Sequence, residues 1–331
     1  MKILFDHSLP FFLAHGGFQT QIEQTKKALE EIGVEVEYLR WWDQTQTGDI
    51  IHFFGRPLAG YIHHAHQKGI KVIIAELHTG LGSRSAKARW IQKRLMQISQ
   101  KIVPESFIAK LAWQSYQTAD ACIALTSWEA SLMRDMFDAP PEKIHVVPNG
   151  VEAVFFERPA TTIQKKDYLV CTATITERKR VLELAEAAVI AQTPVWIIGK
   201  PYTEDDPYYL RFLEIVKKSP QIVRYEGGIN DRARLATIYR EARGFVLLST
   251  MESLSLSALE AAASGCPLLL SDLPWARSVF GENAIYCPIT RAAATINTIK
   301  QFYEDARTPR SIFPVHGWRE IAHSLSKIYL Q

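Results

Sequence analysis

No stretch of this chain is apolar for long enough to span a bilayer, and its first residues enter a strand-like segment at once instead of a basic and then apolar leader. Cysteine is scarce. The four residues, Cys122, Cys171, Cys266 and Cys287, share no paired spacing, which argues against a disulfide framework and for small buried side chains in a reducing compartment. Repeats and low-complexity tracts are missing, and a net charge of +3 argues neither for nor against nucleic acid, which is not among the expected partners. These absences make a cytoplasmic globular protein the expectation. One further gap is local: no acidic residue occurs between Leu77 and Pro104, while Arg84, Lys87, Arg89, Lys93, Arg94 and Lys101 gather among Trp90, Ile91, Leu95, Met96 and Ile98. A basic amphipathic helix over residues 84–101 suits an anionic membrane surface or an anionic acceptor, which adds a peripheral contact with the inner membrane face to the possibilities. The same pattern also suits the solvated face of a packed helix.

A length of 331 residues is comfortable for two domains of about 150 residues each. Short apolar segments alternate with helical periodicity along the whole chain. KILF, VEVEYLR, DIIHFFG, KVIIAEL, ACIALT and KIHVVPNG read as strands of a first half, and YLVCTAT, VWIIG, IVRYEG, FVLLS and LLLS as strands of a second. Strands separated by helices are the pattern of parallel sheets, so the predicted class is α/β, with two facing Rossmann-like, doubly wound domains. The boundaries predicted are 1–152, 153–310 and a closing helix in 311–331 that folds back over the first domain. His63, His64 and His66 lack a nearby carboxylate or thiol to complete a metal set and read as solvent-facing.

The stretch from Gly244 to Asp272 organises the second half. GFVLLST reads as a strand buried on both faces, and a polar break follows. A helix from Leu254, with Ala258, Ala261 and Ala262 at helical spacing, is closed by Gly265 and Pro267. Ligands in such units sit beyond the carboxyl end of the strand, at the helix N-terminus. Glu252 in the loop and Glu260 in the helix frame that position, with backbone amides at Leu254, Ser255 and Leu256 available to an anion. Glu252 also suits a plain helix cap. The spacing alone says little, because Glu23 and Glu31 share it. Arg178, Lys179 and Arg180 follow the second half's first strand, where clustered cations suit a diphosphate or form a solvated turn. Gly16 and Gly17 after the first strand suit close approach of a ligand or an ordinary turn. His78, just past a strand, is a site candidate or an incidental loop histidine.

Taken together, HGG before a helix, LHT after a strand, TADACIALTSWEASLM, PPEKIHVVPNGVEAVFF, WIIG, YEGGI and ESLSLSALEAAASGCPLLLSD resemble the family 4 glycosyltransferases, retaining enzymes of the two-domain GT-B fold, over nearly the whole chain. The resemblance implies transfer of a sugar from a nucleotide-diphosphate sugar to an acceptor hydroxyl, such as a glycan, a lipid-linked acceptor or a small molecule. No cofactor and no bound metal are implied. It also implies roles. Glu252 would hold donor-sugar hydroxyls, Glu260 the ribose, and Lys179 with Arg178 the diphosphate. The amides of Leu254, Ser255 and Leu256 with Gly16 and Gly17 would complete the phosphate cradle, and His78 would approach the reacting carbon. The first domain would be the acceptor side. Three positions depart from the pattern: Thr174 stands where an arginine is usual, Arg180 where a glycine follows the lysine, and Ser255 where a glycine is common. The missing charge leaves Arg178 and Arg180 as candidate replacements. A nucleotide-sugar epimerase and a non-catalytic nucleotide-sugar binder of the same fold remain as alternatives.

Overall fold

A computed structural model describes residues 1–8, 11, 16–103, 111–158, 163–305 and 313–331. The chain divides into one unit formed by Met1–Gly150 with Trp318–Gln331 and another formed by Val151–Gly317. The boundary read at residue 310 lies outside the described residues.

In the first unit, β1 (Lys2–His7), β2 (Glu35–Tyr38), β3 (Ile50–Phe54), β4 (Lys71–Ile74), β5 (Ala121–Ala124) and β6 (Ile144–Val146) form a parallel sheet in the order β2-β1-β3-β4-β5-β6. The central β3, IIHFF, is buried at every position, as a strand covered on both faces must be. The closing helix Trp318–Tyr329 buries Trp318, Ile321, Ala322, Leu325 and Ile328, one apolar stripe at helical spacing, and packs beside the helix Gly17–Glu31. Tyr329 Oη meets His52 Nδ1 at 2.6 Å, joining this helix to β3. Gly150 permits the return, because a Cβ there would lie 2.6 Å from the Trp318 Cα.

The second unit carries β7 (Lys166–Thr172), β8 (Val195–Ile198), β9 (Val223–Tyr225), β10 (Ala242–Leu247), β11 (Leu268–Ser271) and β12 (Ile285–Cys287), all parallel, in the order β12-β11-β10-β7-β8-β9. The chain winds outward from β7 to β9, then crosses to β10 and winds the other way. The order therefore reverses between β7 and β10. In doubly wound sheets ligands bind in a crevice outside the carboxyl ends of the strands at such a reversal. Both units are doubly wound α/β layers. β12 and the helices Pro274–Phe280 and Ala292–Asp305 extend the second sheet beyond the strands read from sequence.

All four cysteines are free and buried, Cys122, Cys171 and Cys287 within strands and Cys266 just before β11. No helix among the described residues is long and apolar enough to cross a membrane.

Candidate functional site

The site of the second unit forms at the strand-order reversal. After β7 the chain makes a single turn of 3-10 helix, Glu177–Lys179, which ends at Arg180 in the left-handed region (φ 53°) before the helix Val181–Ala191. A glycine adopts that backbone without strain; here an arginine carries the cost. After β10 the second loop is tied to the first, since the Thr250 amide donates to the Arg178 carbonyl at 2.9 Å. Arg178 Nη1 in turn donates to the Met251 carbonyl at 2.7 Å and to Glu252 Oε1 at 3.3 Å. Lys179 Nζ pairs with the same Glu252 oxygen.

Glu252 is 7 % exposed. Burial pushes its carboxyl up, but the Lys179 ammonium and the Arg178 guanidinium outweigh burial and hold it below the ordinary carboxylate range. Two cations thus share one carboxylate, which leaves this cluster with positive charge to spare. Arg180 turns elsewhere, with Glu183 Oε1 of its own helix 3.9 Å from Nη1. Of the two arginines weighed against the missing charge at Thr174, Arg178 is the one beside Lys179.

The helix beneath the loop runs Leu256–Ala263, two residues shorter at its start than the periodicity from Leu254 predicts. Ser255 is its cap, accepting from the Ala258 amide at 3.4 Å, so Leu254 lies outside the helix and Glu252 is not the cap. The Ser255 side chain holds the helix end. β10 also begins and ends earlier than the apolar run suggests, at Ala242 and Leu247, which leaves Leu248, Ser249 and Thr250 to the loop.

Glu260, 6 % exposed, points to a second cluster. Its Oε1 pairs with Arg232 Nη2, and its Oε2 accepts from Tyr239 Oη at 3.4 Å. Arg232 Nε also donates to Glu152 Oε2 at 2.6 Å, and its guanidinium lies 4.7 Å from the Phe155 ring centroid. Burial raises the Glu260 carboxyl, and Arg232 opposes that shift without cancelling it.

His78, Gly16 and Gly17 belong to the first unit. Gly16 has φ 141° and precedes the helix that Gly17 opens, a conformation that favours glycine. His78 is buried; its amide donates to Glu129 Oε1 at 2.9 Å, and its Nε2 lies 3.2 Å from Tyr116 Oη. Tyr116 Oη also bonds Glu76, which holds Arg56 through contacts of 2.6 and 2.8 Å. Burial lowers the His78 pKa, while Glu76 and Glu129 work against that shift. His63 and His64 are exposed, and His66 Nε2 lies 2.8 Å from Asp120 Oδ2. Among the described residues no group of three or more His, Cys, Asp or Glu side chains could hold a metal ion.

Residues 25–154 match the model of Glycosyltransferase Family 4, and residues 166–305 match that of Glycosyl transferases group 1. The chain belongs to these glycosyltransferases. Sucrose-phosphate synthase from Thermosynechococcus elongatus is similar in structure, with a TM-score of 0.70 at 18% identity over 100% of this chain and 98% of that one. Anabaena Alr3699/HepE, solved in complex with UDP and glucose, gives 0.66 at 15% identity, covering 100% and 98%. A glycosyltransferase from Rickettsia africae ESF-5 gives 0.65 at 12% identity, covering 99% and 97%. These likenesses carry the GT-B fold. No curated protein matches the chain in sequence.

Within this glycosyltransferase, Arg232, Glu152 and Tyr239 are site neighbours that the sequence reading left without a role, as are Arg56, Glu76 and Tyr116. Their partners lie between 20 and 80 residues away along the chain. No local spacing announces such pairs. Only the order of the strands brings them together.

Proposed function

We propose that the chain is a retaining, metal-independent glycosyltransferase that moves a sugar from a nucleotide-diphosphate sugar to an acceptor hydroxyl. The observation that carries this reading is the convergence of Lys179 and Arg178 on buried Glu252 at the reversal of strand order. That crevice is where doubly wound sheets take nucleotides. A net positive cluster beside the first turn of the helix Leu256–Ala263 suits a pyrophosphate. Alr3699/HepE, of the same fold, was solved with UDP-glucose, which makes uridine nucleotides the first donors to test.

In the proposed reaction the bond from the anomeric carbon to phosphate lengthens, and negative charge grows on the leaving oxygen. Lys179, Arg178 and the amides of Ser255 and Leu256 stabilise that charge without having to reorganise, which is the largest single contribution such a site makes. Glu252, kept ionised by its two cations, presents its remaining acceptor capacity to sugar hydroxyls. Glu260 is assigned to the ribose, where Arg232 and Tyr239 orient it. The acceptor hydroxyl attacks the face the phosphate leaves and passes its proton to the departing phosphate oxygen. The anomeric configuration is kept with no covalent glycosyl-enzyme, unlike the paired acids of retaining glycoside hydrolases. His78, Gly16 and Gly17 are the first unit's candidates for ligand contact.

A melting panel with UDP, GDP, ADP and their sugars identifies the donor, because a ligand that binds only the folded state raises the transition temperature. Acceptor-dependent release of nucleotide, with product of unchanged anomeric configuration and full activity in chelator, supports the reading. Conversion of the donor sugar without acceptor would instead mark an epimerase, and binding without turnover a non-catalytic module. Lys179→Ala is expected to lower turnover at least about tenfold; unchanged turnover would remove Lys179 from the mechanism.

A further inference from the structure

The helix Ala86–Ile102 of the first unit turns its more apolar side to solvent. Trp90 is 62 % exposed, Ile91 43 %, Leu95 59 %, Ile98 52 % and Ile102 75 %. At 3.6 residues per turn, Ile91, Leu95, Ile98 and Ile102 fall on one stripe about 60° wide. Lys87, Arg94 and Lys101, each two turns from the next, make a line along its border.

The opposite side is the packed one. Met96 is buried there, the Arg89 guanidinium lies 4.5 Å from the Trp128 ring centroid, and Lys93 Nζ lies 3.7 Å from Asp138. The usual arrangement of a surface helix, apolar inward and charged outward, is therefore reversed. Among the described residues Lys87, Arg94 and Lys101 have no carboxylate partner, and Ser85 caps the helix through the Ala88 amide at 3.3 Å, so the element is held in shape without a partner on its outer face.

We infer that this face docks on an anionic lipid surface, with the isoleucine and leucine stripe entering the acyl boundary and the line of cations lying among the headgroups. Charge selects the occupant. An outward face whose three cations have no carboxylate partner among the described residues, Arg94 meeting the neutral Gln97 and the Trp90 ring, and whose helix carries no acidic residue is complementary to anionic headgroups, and its apolar stripe fits the depth an interfacial helix reaches. A solvated protein face gains nothing from five large exposed apolar side chains on one helix.

The experiment is vesicle flotation of the full chain with phosphatidylcholine alone and with phosphatidylcholine containing phosphatidylglycerol. The wild type is expected to float with the anionic vesicles, weakly with the neutral ones, and less as salt rises. Changing Lys87, Arg94 and Lys101 together to Gln should weaken partitioning by about fivefold per cation, roughly a hundredfold in all. Ile91→Asn with Ile98→Asn should abolish flotation while moving the thermal transition little, because both side chains are exposed at the surface and outside the core. Equal binding to neutral and anionic vesicles, no binding to either, or variants that melt normally and float like the wild type would overturn the inference. So would a dimer in light scattering that Ile91→Asn with Ile98→Asn converts to a monomer, since the stripe would then belong to a second copy.

Discussion

Replacing Lys179 with Met tests whether the cation pair around Glu252 is a stressed electrostatic device. The substitution keeps the aliphatic stem and removes the ammonium from a carboxylate that is 7 % exposed. Stripping one partner from a buried ion pair typically costs 3–5 kcal/mol; with Arg178 Nη1 still 3.3 Å away, the low end applies, about 3 kcal/mol. For a unit of this size that is a fall of roughly 6–12 °C in the melting temperature at neutral pH. The sign with pH is specific. In the wild type the Glu252 carboxyl sits below its ordinary value, so its contribution to stability is present above the unfolded value, about 4.3, and is lost as pH falls through the folded value. Without the ammonium, burial dominates and raises the folded value. The penalty of the buried charge then disappears as pH falls and the group is protonated. The gap between wild type and variant must therefore narrow between pH 7 and about 4.5. Adding Glu252→Gln to the variant should recover much of the loss, since both halves of the pair are then neutral. Scanning calorimetry at the two pH values reads this directly. Equal melting temperatures at neutral pH, or a gap that does not move with pH, would show that the ammonium does not hold the Glu252 charge.

Other parts of the fold yield expectations of the same kind. Gly199→Ala should cost at least about 3 kcal/mol in urea melts, because the new Cβ would lie 1.8 Å from the Ala173 carbonyl oxygen at a φ of 158°. Arg232→Gln strands Glu260 with Tyr239 Oη as its remaining partner and should cost on the order of 3 kcal/mol, with much of the loss recovered when Glu260→Gln is added. His52 is fully buried, and burial pushes its pKa down to about 3, so its contribution is complete above the unfolded value near 6.5 and falls away below it. At pH 5 this amounts to roughly 2 kcal/mol. His78, also lowered by burial, adds in the same direction. Urea melts at pH 7 and pH 5 should show the loss, and His52→Gln should show less of it.

Much of the architecture was legible because both sheets are parallel and covered on both faces, so their strands stand out as short apolar runs. IIHFF and VWII are buried throughout. Helix ends were less legible. Ser255 captures the start of the helix Leu256–Ala263, a choice that apolar periodicity from Leu254 does not show. Glu252 and Glu260 were found from context, since Glu23 and Glu31 have identical spacing and sit exposed on an ordinary helix. The arginine question could not be settled from sequence. Arg178 and Arg180 are equivalent in composition, and only the left-handed backbone at Arg180 sends one toward Glu252 and the other toward Glu183. Long-range partners such as Arg232 with Glu152 and Glu260 leave no trace in local pattern.

Whether Lys179 grips the pyrophosphate is read by separating the diphosphate from the rest of the donor. With the base that the melting panel selects, calorimetric titration compares a nucleoside diphosphate with its nucleoside, in the wild type and in Lys179→Met. The wild type is expected to prefer the diphosphate strongly and Lys179→Met to lose most of this preference, while nucleoside affinity stays the same. A preference for the diphosphate that survives loss of the ammonium would contradict that grip.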